Sequence, residues 1–273
     1  MNKGKCQVFF VPTPIGNLGD MTFRGVDVLN KSDVIFAEDT RKASILLTHY
    51  SIKKPVRSFH KDNEKKVLPE VMSLLNNNKT IAVISEAGTP CISDPGDTLV
   101  RELIVNNINF SVLPGANAVI PAVVMSGFNT RSFFFYGFLS HKKNEKIAEL
   151  GKLKEIESSL VFYESPHRVK ETTKIILEIF KRRVCLLREI SKVFEEKILV
   201  ENPSDLEGVN YKGEFVVVVD NNDVKSKNRS FEKSQDEIIA KLKNESFSSK
   251  EILKIMKILG FKRNEIYEKV QGS

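Results

Sequence analysis

The fold is decided early in the chain by Cys6-Gln-Val-Phe-Phe-Val-Pro-Thr-Pro-Ile-Gly-Asn-Leu-Gly-Asp20. Its first part, Gln7–Val11, is mostly apolar and β-favouring and predicts a buried strand. Pro12 and Pro14 then stop the strand, because proline fixes φ and has no backbone donor. Glycines in the same loop let the backbone come close to a neighbour. A strand that ends in such a rigid loop is typical of the ligand crevice of an α/β protein.

Strand-like runs and amphipathic helical stretches alternate behind this segment, which predicts a parallel sheet covered by helices. The first set of strands is expected at Gln7–Val11, Val34–Ala37, Ile81–Ser85 and Phe110–Leu113. A second set is expected at Phe133–Phe138, Leu160–Tyr163, Val184–Leu187 and Phe215–Asp220. The intervening helices are expected near Phe23–Leu29, Ala43–Tyr50, Lys65–Leu75, Thr98–Asn106, Lys146–Leu153 and Val169–Phe180.

The break between the two sets falls around Pro114–Pro121, where Pro114-Gly115 ends a strand. We therefore expect two α/β domains, residues 1–116 and 117–222, with a ligand cleft at their junction. The stretch Asn221–Ser230 is polar and charged and is interpreted as a linker. Residues 223–273 then have a helical pattern and carry 12 Lys and Arg against 8 Asp and Glu. They are either a basic appendage for a partner or a solvated tail that packs on a domain.

Composition limits the class of protein. The net charge of +7 and the pI near 9.1 fit a polyanionic partner, although many other proteins are as basic. No apolar run approaches the roughly 20 residues that span a bilayer, and no signal peptide is expected. Cys6, Cys91 and Cys185 are widely spaced, which indicates free thiols in a reducing cytoplasm. Without paired Cys or His spacing, no metal site is expected.

Two long loops follow strands and carry the strongest functional signal. Ser85-Glu-Ala-Gly-Thr-Pro-Cys-Ile-Ser-Asp-Pro-Gly96 is too long and too rigid for a simple connector. Its backbone is accessible at Gly88, and Asp94 offers a carboxylate to a ligand hydroxyl or amine. Leu113-Pro-Gly-Ala-Asn-Ala118 leaves a strand and opens a helix, so Asn117 is either a ligand contact or a helix cap. The usual glycine-rich phosphate motifs do not occur in the chain.

Two further strand ends carry charged residues. Ala37-Glu-Asp-Thr-Arg41 places two carboxylates and an arginine together, and Phe162-Tyr-Glu-Ser-Pro-His-Arg168 adds a carboxylate, an imidazole and a guanidinium. An ion-pair network is the alternative interpretation of the first segment. The guanidinium of Arg168 is equally suited to grip a phosphate or to brace the domain junction.

Taken in order, these segments resemble the tetrapyrrole methylase superfamily. They are most similar to its bacterial branch that methylates the ribose 2′-hydroxyl of a cytidine in small-subunit (16S) ribosomal RNA. The resemblance covers roughly residues 7–220. The segment Ala87-Gly-Thr-Pro90 stands where relatives that modify tetrapyrroles carry Gly-Gly-Asp-Pro, which argues for the RNA branch.

The resemblance implies S-adenosylmethionine bound in the cleft between the domains. The residues that it implies for cofactor binding are Pro12, Gly88, Thr89, Ser93, Asp94, Gly115, Ala116, Asn117, Ala118, Phe138, Leu139, Gly213 and Glu214. It also implies 16S rRNA, within the 30S subunit, as substrate and a homodimer as the functional state.

A ribose hydroxyl is a poor nucleophile at neutral pH, so its proton needs an acceptor. The candidate catalytic residues are Glu38, Asp39, Arg41, Glu164, His167 and Arg168, with the two arginines holding flanking phosphates. The sequence does not rank the possible bases. Two alternatives stay open: a small-molecule methyltransferase of the same fold acting on a tetrapyrrole-like substrate, and a non-catalytic ribosome-assembly factor.

Overall fold

The computed structural model describes residues 6–221, 238–245, 247–258, 261 and 263–271. The chain divides between Asn221 and Asn222 into two compact units, each of which is described by itself. Among the described residues, no helix is both long enough and apolar enough to cross a membrane.

The first sheet is parallel throughout. Its strands are β1 (Val8–Phe10), β2 (Val34–Ala37), β3 (Val56–Ser58), β4 (Ile81–Ile84) and β5 (Phe110–Val112). They lie in the order β3-β2-β4-β1-β5. The helices of this part are α1 (Phe23–Lys31), α2 (Thr40–His49), α3 (Glu64–Asn76) and α4 (Asp97–Val105).

Helices cover both faces of this sheet, and alternate residues of each strand enter two separate cores. In β4, Ile81 and Val83 pack into one cluster with Phe10, whereas Ala82 and Ile84 pack into the other. All of β4 is buried. Burial on both faces explains why the parallel strands have nearly continuous apolar sequences.

The second sheet is mixed. Its elements are α5 (Val119–Ser126), β6 (Phe133–Phe138), α6 (Lys143–Leu153), β7 (Ser159–Glu164), α7 (Val169–Phe180), β8 (Val184–Arg188), β9 (Glu196–Val200) and β10 (Phe215–Val219). The strands lie in the order β6-β7-β10-β8-β9. Only β6 and β7 are parallel in this sheet, and its other pairs are antiparallel.

The predicted strands all exist, each within one residue of its expected ends, and the predicted helices of residues 23–180 agree within three. Two strands, β3 and β9, were not predicted. In β3, Arg57 and Ser58 are exposed, and in β9 the exposed Lys197 interrupts the apolar pattern. Both strands lie at sheet edges, where little burial is needed and the apolar signal is weak. The domain boundary at residues 116 and 117 stays a prediction.

The second unit contains helical residues 238–244 (α8), α9 (Ser249–Ile258) and α10 (Arg263–Gln271). Its core includes Ile239, Ile252 and Ile266. A capping box opens α9, since the Ser248 N–H donates to Glu251 Oε2 over 2.9 Å and the Glu251 N–H donates to Ser248 Oγ over 3.4 Å. Beyond Asn221, the predicted linker at residues 221–230 lies outside the described residues.

Candidate cofactor cavity and active site

A cavity of about 600 Å³ lies beside the carboxyl ends of β1, β4 and β5, between the loops of the first sheet and the strands of the second. The first sheet contributes Ile15 from the loop after β1, the 87–94 region after β4, and Asn117 with Ala118 after β5. Neighbouring parallel strands end at the same edge, which is the usual position of a ligand crevice in an α/β sheet. The volume is that of a small-molecule site.

Hydrogen bonds lock the first two of these loops together. The Thr13 N–H donates to Gly88 O and the Gly88 N–H donates to Thr13 O, both over 2.9 Å. The Thr13 hydroxyl donates to Ser85 O over 3.2 Å, and the Ser85 hydroxyl donates to Gly88 O over 3.1 Å. These bonds fix the main chain that forms this side of the cavity before any ligand binds.

The loop from Ser85 to Gly96 has an unusual backbone. Gly88 and Gly96 have φ of +81° and +131°, and the non-glycine residues Cys91 and Ser93 have φ of +70° and +68°. Positive φ is costly for residues that carry a Cβ, and such conformations concentrate at functional sites. The strain lies on the wall of the cavity, because Gly88 and Ser93 both line it.

The third loop packs on the first through Gly115. A Cβ atom at Gly115 would lie 2.7 Å from Pro12 Cβ, so only glycine allows this approach. The Thr89 hydroxyl donates to Ala116 O over 3.3 Å. Asn117 caps the start of α5, since its Oδ1 accepts the Ile120 N–H over 2.9 Å. It also lines the cavity, and its contact with a ligand stays a prediction.

The opposite wall is aromatic. Phe133 and Phe135 line the cavity as alternate residues of β6, but the next cavity-lining residue is Phe138. A β-bulge between Phe135 and Gly137 shifts the alternation by one residue. The Phe138 ring therefore lies beside Tyr163, with 5.5 Å between ring centroids, and Tyr163 also lines the cavity.

Asp94 carries a carboxylate into this largely apolar space. Burial, with a contribution from the charge of Glu38, raises the pKa of Asp94 to about 6. Burial also raises the pKa of Tyr163 to about 12, and the charge of Asp94 adds to that shift. Asp94 can thus offer a negative charge near neutral pH that water screens only partly.

The structure brings most of the predicted cofactor residues to the cavity. Those that line it are Gly88, Thr89, Ser93, Asp94, Asn117, Ala118, Phe138 and Glu214. The others, which do not line it, are Pro12, Gly115, Ala116, Leu139 and Gly213.

Residues of this second group support the cavity from behind. The Leu139 side chain is buried in the core of the second sheet. Gly213, with φ of +102°, leaves room for Glu189, whose Oε1 accepts the Glu214 N–H over 2.9 Å.

A second cavity, of about 450 Å³, lies beside the ends of β2, β3 and β4. The predicted residues Glu38, Asp39 and Arg41 line it together with Ser58, His60, Lys61, Asp62 and Glu86. Asp39 caps α2, because its Oδ1 accepts the Arg41 N–H over 2.8 Å, and its Oδ2 pairs with the Arg41 guanidinium over 2.8 Å. These bonds hold the pKa of Asp39 well below its usual range.

Glu38 is in a different environment from Asp39. Burial raises its pKa, and the nearby charge of Glu86 raises it further. Glu86 pairs with Lys42 at the same edge of the sheet. Glu38 is therefore the better proton acceptor of the two adjacent carboxylates.

The second charged loop forms a buried network. Glu164 lies 3.8 Å from Lys146 Nζ and 3.3 Å from Arg168 Nε, and Thr172 donates to Glu164 Oε2 over 2.7 Å. Arg168 Nη2 also donates to Leu139 O over 2.8 Å. Arg168 thus joins the ends of β6 and β7, which is a bracing role within the second sheet.

The candidate residues of this loop do not form one constellation. Glu164 lines the larger cavity but is bonded on both carboxylate oxygens, whereas His167 is exposed and lines neither cavity. The sequence reasoning also missed Phe133, Phe135 and Tyr163. The sequence did contain a signal for this wall, because aromatic residues occupy most of Phe133–Phe138. The hydrophobic cores of the second sheet do not include all of these rings, so some are left to line a cavity.

The rigid loops, the aromatic wall and the two-sheet arrangement define the class: this chain belongs to the tetrapyrrole (corrin/porphyrin) methylase family, whose model matches residues 7–207. Its relatives include "Ribosomal RNA small subunit methyltransferase I" of Bacillus subtilis (strain 168), which is 42% identical over 217 residues, covering 78% of this chain and 74% of that protein. The protein of the same name from Leptospira biflexa is 38% identical over 215 residues, covering 78% and 90%.

A solved structure, uroporphyrin-III-C-methyltransferase from Thermus thermophilus, has a TM-score of 0.55 to this chain at 18% identity and covers 82% of this chain and 98% of its own. At that identity the likeness concerns the fold alone. The predicted family and fold class are confirmed, as is the prediction of a methyltransferase that uses S-adenosylmethionine.

Proposed function

We propose that this chain transfers a methyl group from S-adenosylmethionine to the ribose 2′-hydroxyl of a cytidine in 16S ribosomal RNA. The observation that carries the proposal is the rigid main-chain cradle of Thr13 and Gly88 facing an aromatic wall, in a chain whose relatives are named as small-subunit rRNA methyltransferases. Thr89 in place of the acidic residue of tetrapyrrole-modifying relatives favours the same branch.

The residues of the larger cavity fit the cofactor. When bound, S-adenosylmethionine supplies an activated methyl group on a positively charged sulfur. Asp94 complements that charge, and the faces of Phe138 and Tyr163 attract a cation and also stack on an adenine. Gly88 is buried and its N–H and C=O are bonded to Thr13, so polar contacts with the rest of the cofactor are left to lining side chains such as that of Ser93.

The remaining task of the protein is to align the acceptor oxygen and to take its proton. Alignment alone lowers a barrier by up to about 7–11 kcal/mol in favourable cases. We assign proton acceptance to Glu38, because its raised pKa makes it a stronger base than Asp39, and because both oxygens of Glu164 are already bonded.

The substrate also sets the partners. We propose that the enzyme acts on the 30S subunit in the cytoplasm and works as a homodimer, which would extend the basic surface offered to RNA. The net charge of +7 supports binding to a polyanion, and that binding is expected to weaken as salt rises.

The test is transfer of labelled methyl from S-adenosylmethionine to 30S particles that lack the modification, followed by nucleoside analysis. We expect label in 2′-O-methylcytidine and none with particles that are already modified. Label in a supplied uroporphyrinogen and none in RNA would contradict the proposal and favour the tetrapyrrole alternative. Cofactor and 30S binding without any transfer would favour an assembly factor.

A further inference from the structure

The two cavities share a wall. Glu86 lines the smaller cavity, and the next two residues, Ala87 and Gly88, line the larger one. Electrostatics also connects them, because the charge of Glu38 in the smaller cavity contributes to the raised pKa of Asp94 in the larger one. A molecule in the smaller cavity therefore lies next to one in the larger cavity.

Their chemistry differs. The larger cavity has an aromatic wall, whereas the smaller is lined by polar and charged side chains. At the smaller cavity the Arg41 side chain is 89% exposed and Lys61 is exposed as well. His60 and Glu38 are only partly exposed. Cations on an open surface and mixed donors and acceptors beneath them suit a ligand that has both phosphates and a polar ring.

A metal ion is not the ligand that these residues indicate. The smaller cavity contains carboxylates and an imidazole, yet the described part of the chain has no group of three or more His, Cys, Asp or Glu side chains arranged to hold a metal. Lys42 pairs with Glu86 and Arg41 pairs with Asp39, so the acids are partly neutralised by cations. A nucleotide uses both signs of charge, since carboxylates accept from the cytosine amino group and cations bind phosphates.

We propose that the smaller cavity is the acceptor-nucleotide site, in which an unstacked cytidine lies with its ribose toward Glu38 and its phosphates toward Arg41 and Lys61. The inference rests on the proposed function and specifies where the acceptor nucleotide of the RNA binds on the protein. A base that is to be read in a pocket must leave its stack, which makes a single-stranded or flipped-out nucleotide the expected ligand. Glu86 is the carboxylate that we assign to the cytosine amino group.

The test uses the full chain saturated with S-adenosylmethionine and the trinucleotide ApCpA as probe. Nuclear magnetic resonance follows the imidazole of His60, which lines the cavity, and that of His49, which does not. We expect ApCpA to shift the His60 signal alone and ApUpA to bind more weakly. Glu86→Gln should weaken ApCpA binding about tenfold without changing cofactor affinity, because the charged acceptor of the hydrogen bond is replaced by a neutral amide oxygen.

Glu70→Gln is the matched control, since Glu70 forms an exposed ion pair with Arg57 and does not line the cavity. A His60 signal that ApCpA leaves unmoved would overturn the inference, as would equal affinities of the two variants. Methyl transfer to 30S particles, measured in parallel, separates the two proposals. A shift at His60 without transfer would retain a nucleotide site and reject the methyltransferase activity on RNA.

Discussion

The two walls of the larger cavity are built on different principles. On the side of the first sheet, loops form the wall, and their main chain is held by the Thr13–Gly88 bridge and by the close packing of Gly115 on Pro12. On the side of the second sheet, aromatic side chains such as Phe138 and Tyr163 form the surface. The first wall is therefore sensitive to added atoms, and the second to removed ones.

This difference has a physical reason. Loops that follow parallel strands are short of side-chain packing, so they become rigid through glycine, proline and backbone hydrogen bonds. In the second sheet, hydrogen bonds to neighbouring strands already fix the backbone of the strand residues. These residues can therefore present large side chains to the cavity at little further cost in backbone entropy. Four substitutions test the comparison, in order of decreasing expected effect.

The largest effect is expected where the second wall depends on buried charge. Glu164→Ala leaves Lys146 and Arg168 without their carboxylate, and both side chains are mostly buried. Breaking a buried pair in this way costs about 3–5 kcal/mol. Urea unfolding measures the loss. Glu171→Ala, whose carboxylate forms an exposed pair with Lys143 between α7 and α6, should change stability by less than about 1 kcal/mol; equal losses would contradict the buried network.

Adding one methyl group to the first wall should destabilise the protein. Gly115→Ala places a Cβ 2.7 Å from Pro12 Cβ, and such overpacking costs about 1–3 kcal/mol. The displaced loop should also weaken cofactor binding in calorimetry. Gly151→Ala is the control, because nothing lies within 4 Å of its added Cβ within α6. That variant should gain up to about 1 kcal/mol. Wild-type stability in Gly115→Ala would show that the loop adjusts freely.

Asp94 is the charged side chain among the residues that line the first wall. Its pKa is raised from 3.8 to about 6, so the folded protein holds this proton more tightly than the unfolded chain. The stability contributed by the protonated form is full below pH 4 and is lost as the pH rises through about 6. Asp94→Asn should remove this pH dependence from urea unfolding.

The same substitution should weaken S-adenosylmethionine binding about tenfold at pH 7.5, because a charged partner is replaced by a neutral one. Asp97→Asn, on the exposed first turn of α4, is the control for both measurements. Unchanged affinity in Asp94→Asn would remove Asp94 from the cofactor site.

The smallest effect is expected from shortening the second wall. Phe138→Ala should lower cofactor affinity by about 0.5–1.5 kcal/mol, the range for one aromatic contact, with little change in stability because Phe138 is 54% exposed. Phe134→Ala, on the same strand but outside the cavity lining, should bind the cofactor normally. Similar losses in both variants would place the aromatic wall elsewhere.

Much of the fold was predictable because the burial of a segment determines how many of its residues are apolar. Strands such as β4 and β10 are buried along their whole length and are continuous apolar runs. The edge strands β3 and β9 bury less and so were missed. The rigid loop Ser85–Gly96 was also predictable, because proline and glycine restrict or free the backbone locally.

The site was predictable only in part. Gly88 and Asp94 belong to a loop whose chemistry is local, and both line the cavity as expected. Phe138 lines it because a bulge shifts the alternation of β6, which depends on the pairing with β7. The bracing role of Arg168 was left open, because its partner Leu139 is 29 residues away in sequence.

The sequence by itself determined which segments become strands, helices and rigid loops, since those properties depend on neighbouring residues and on burial patterns of short period. The tertiary structure alone decided which loops meet. It joined Thr13 to Gly88, separated Glu38 from Glu164 into two cavities, and brought Glu38 electrostatically close to Asp94. Contacts between distant segments depend on strand order and register, and a single sequence does not contain these explicitly.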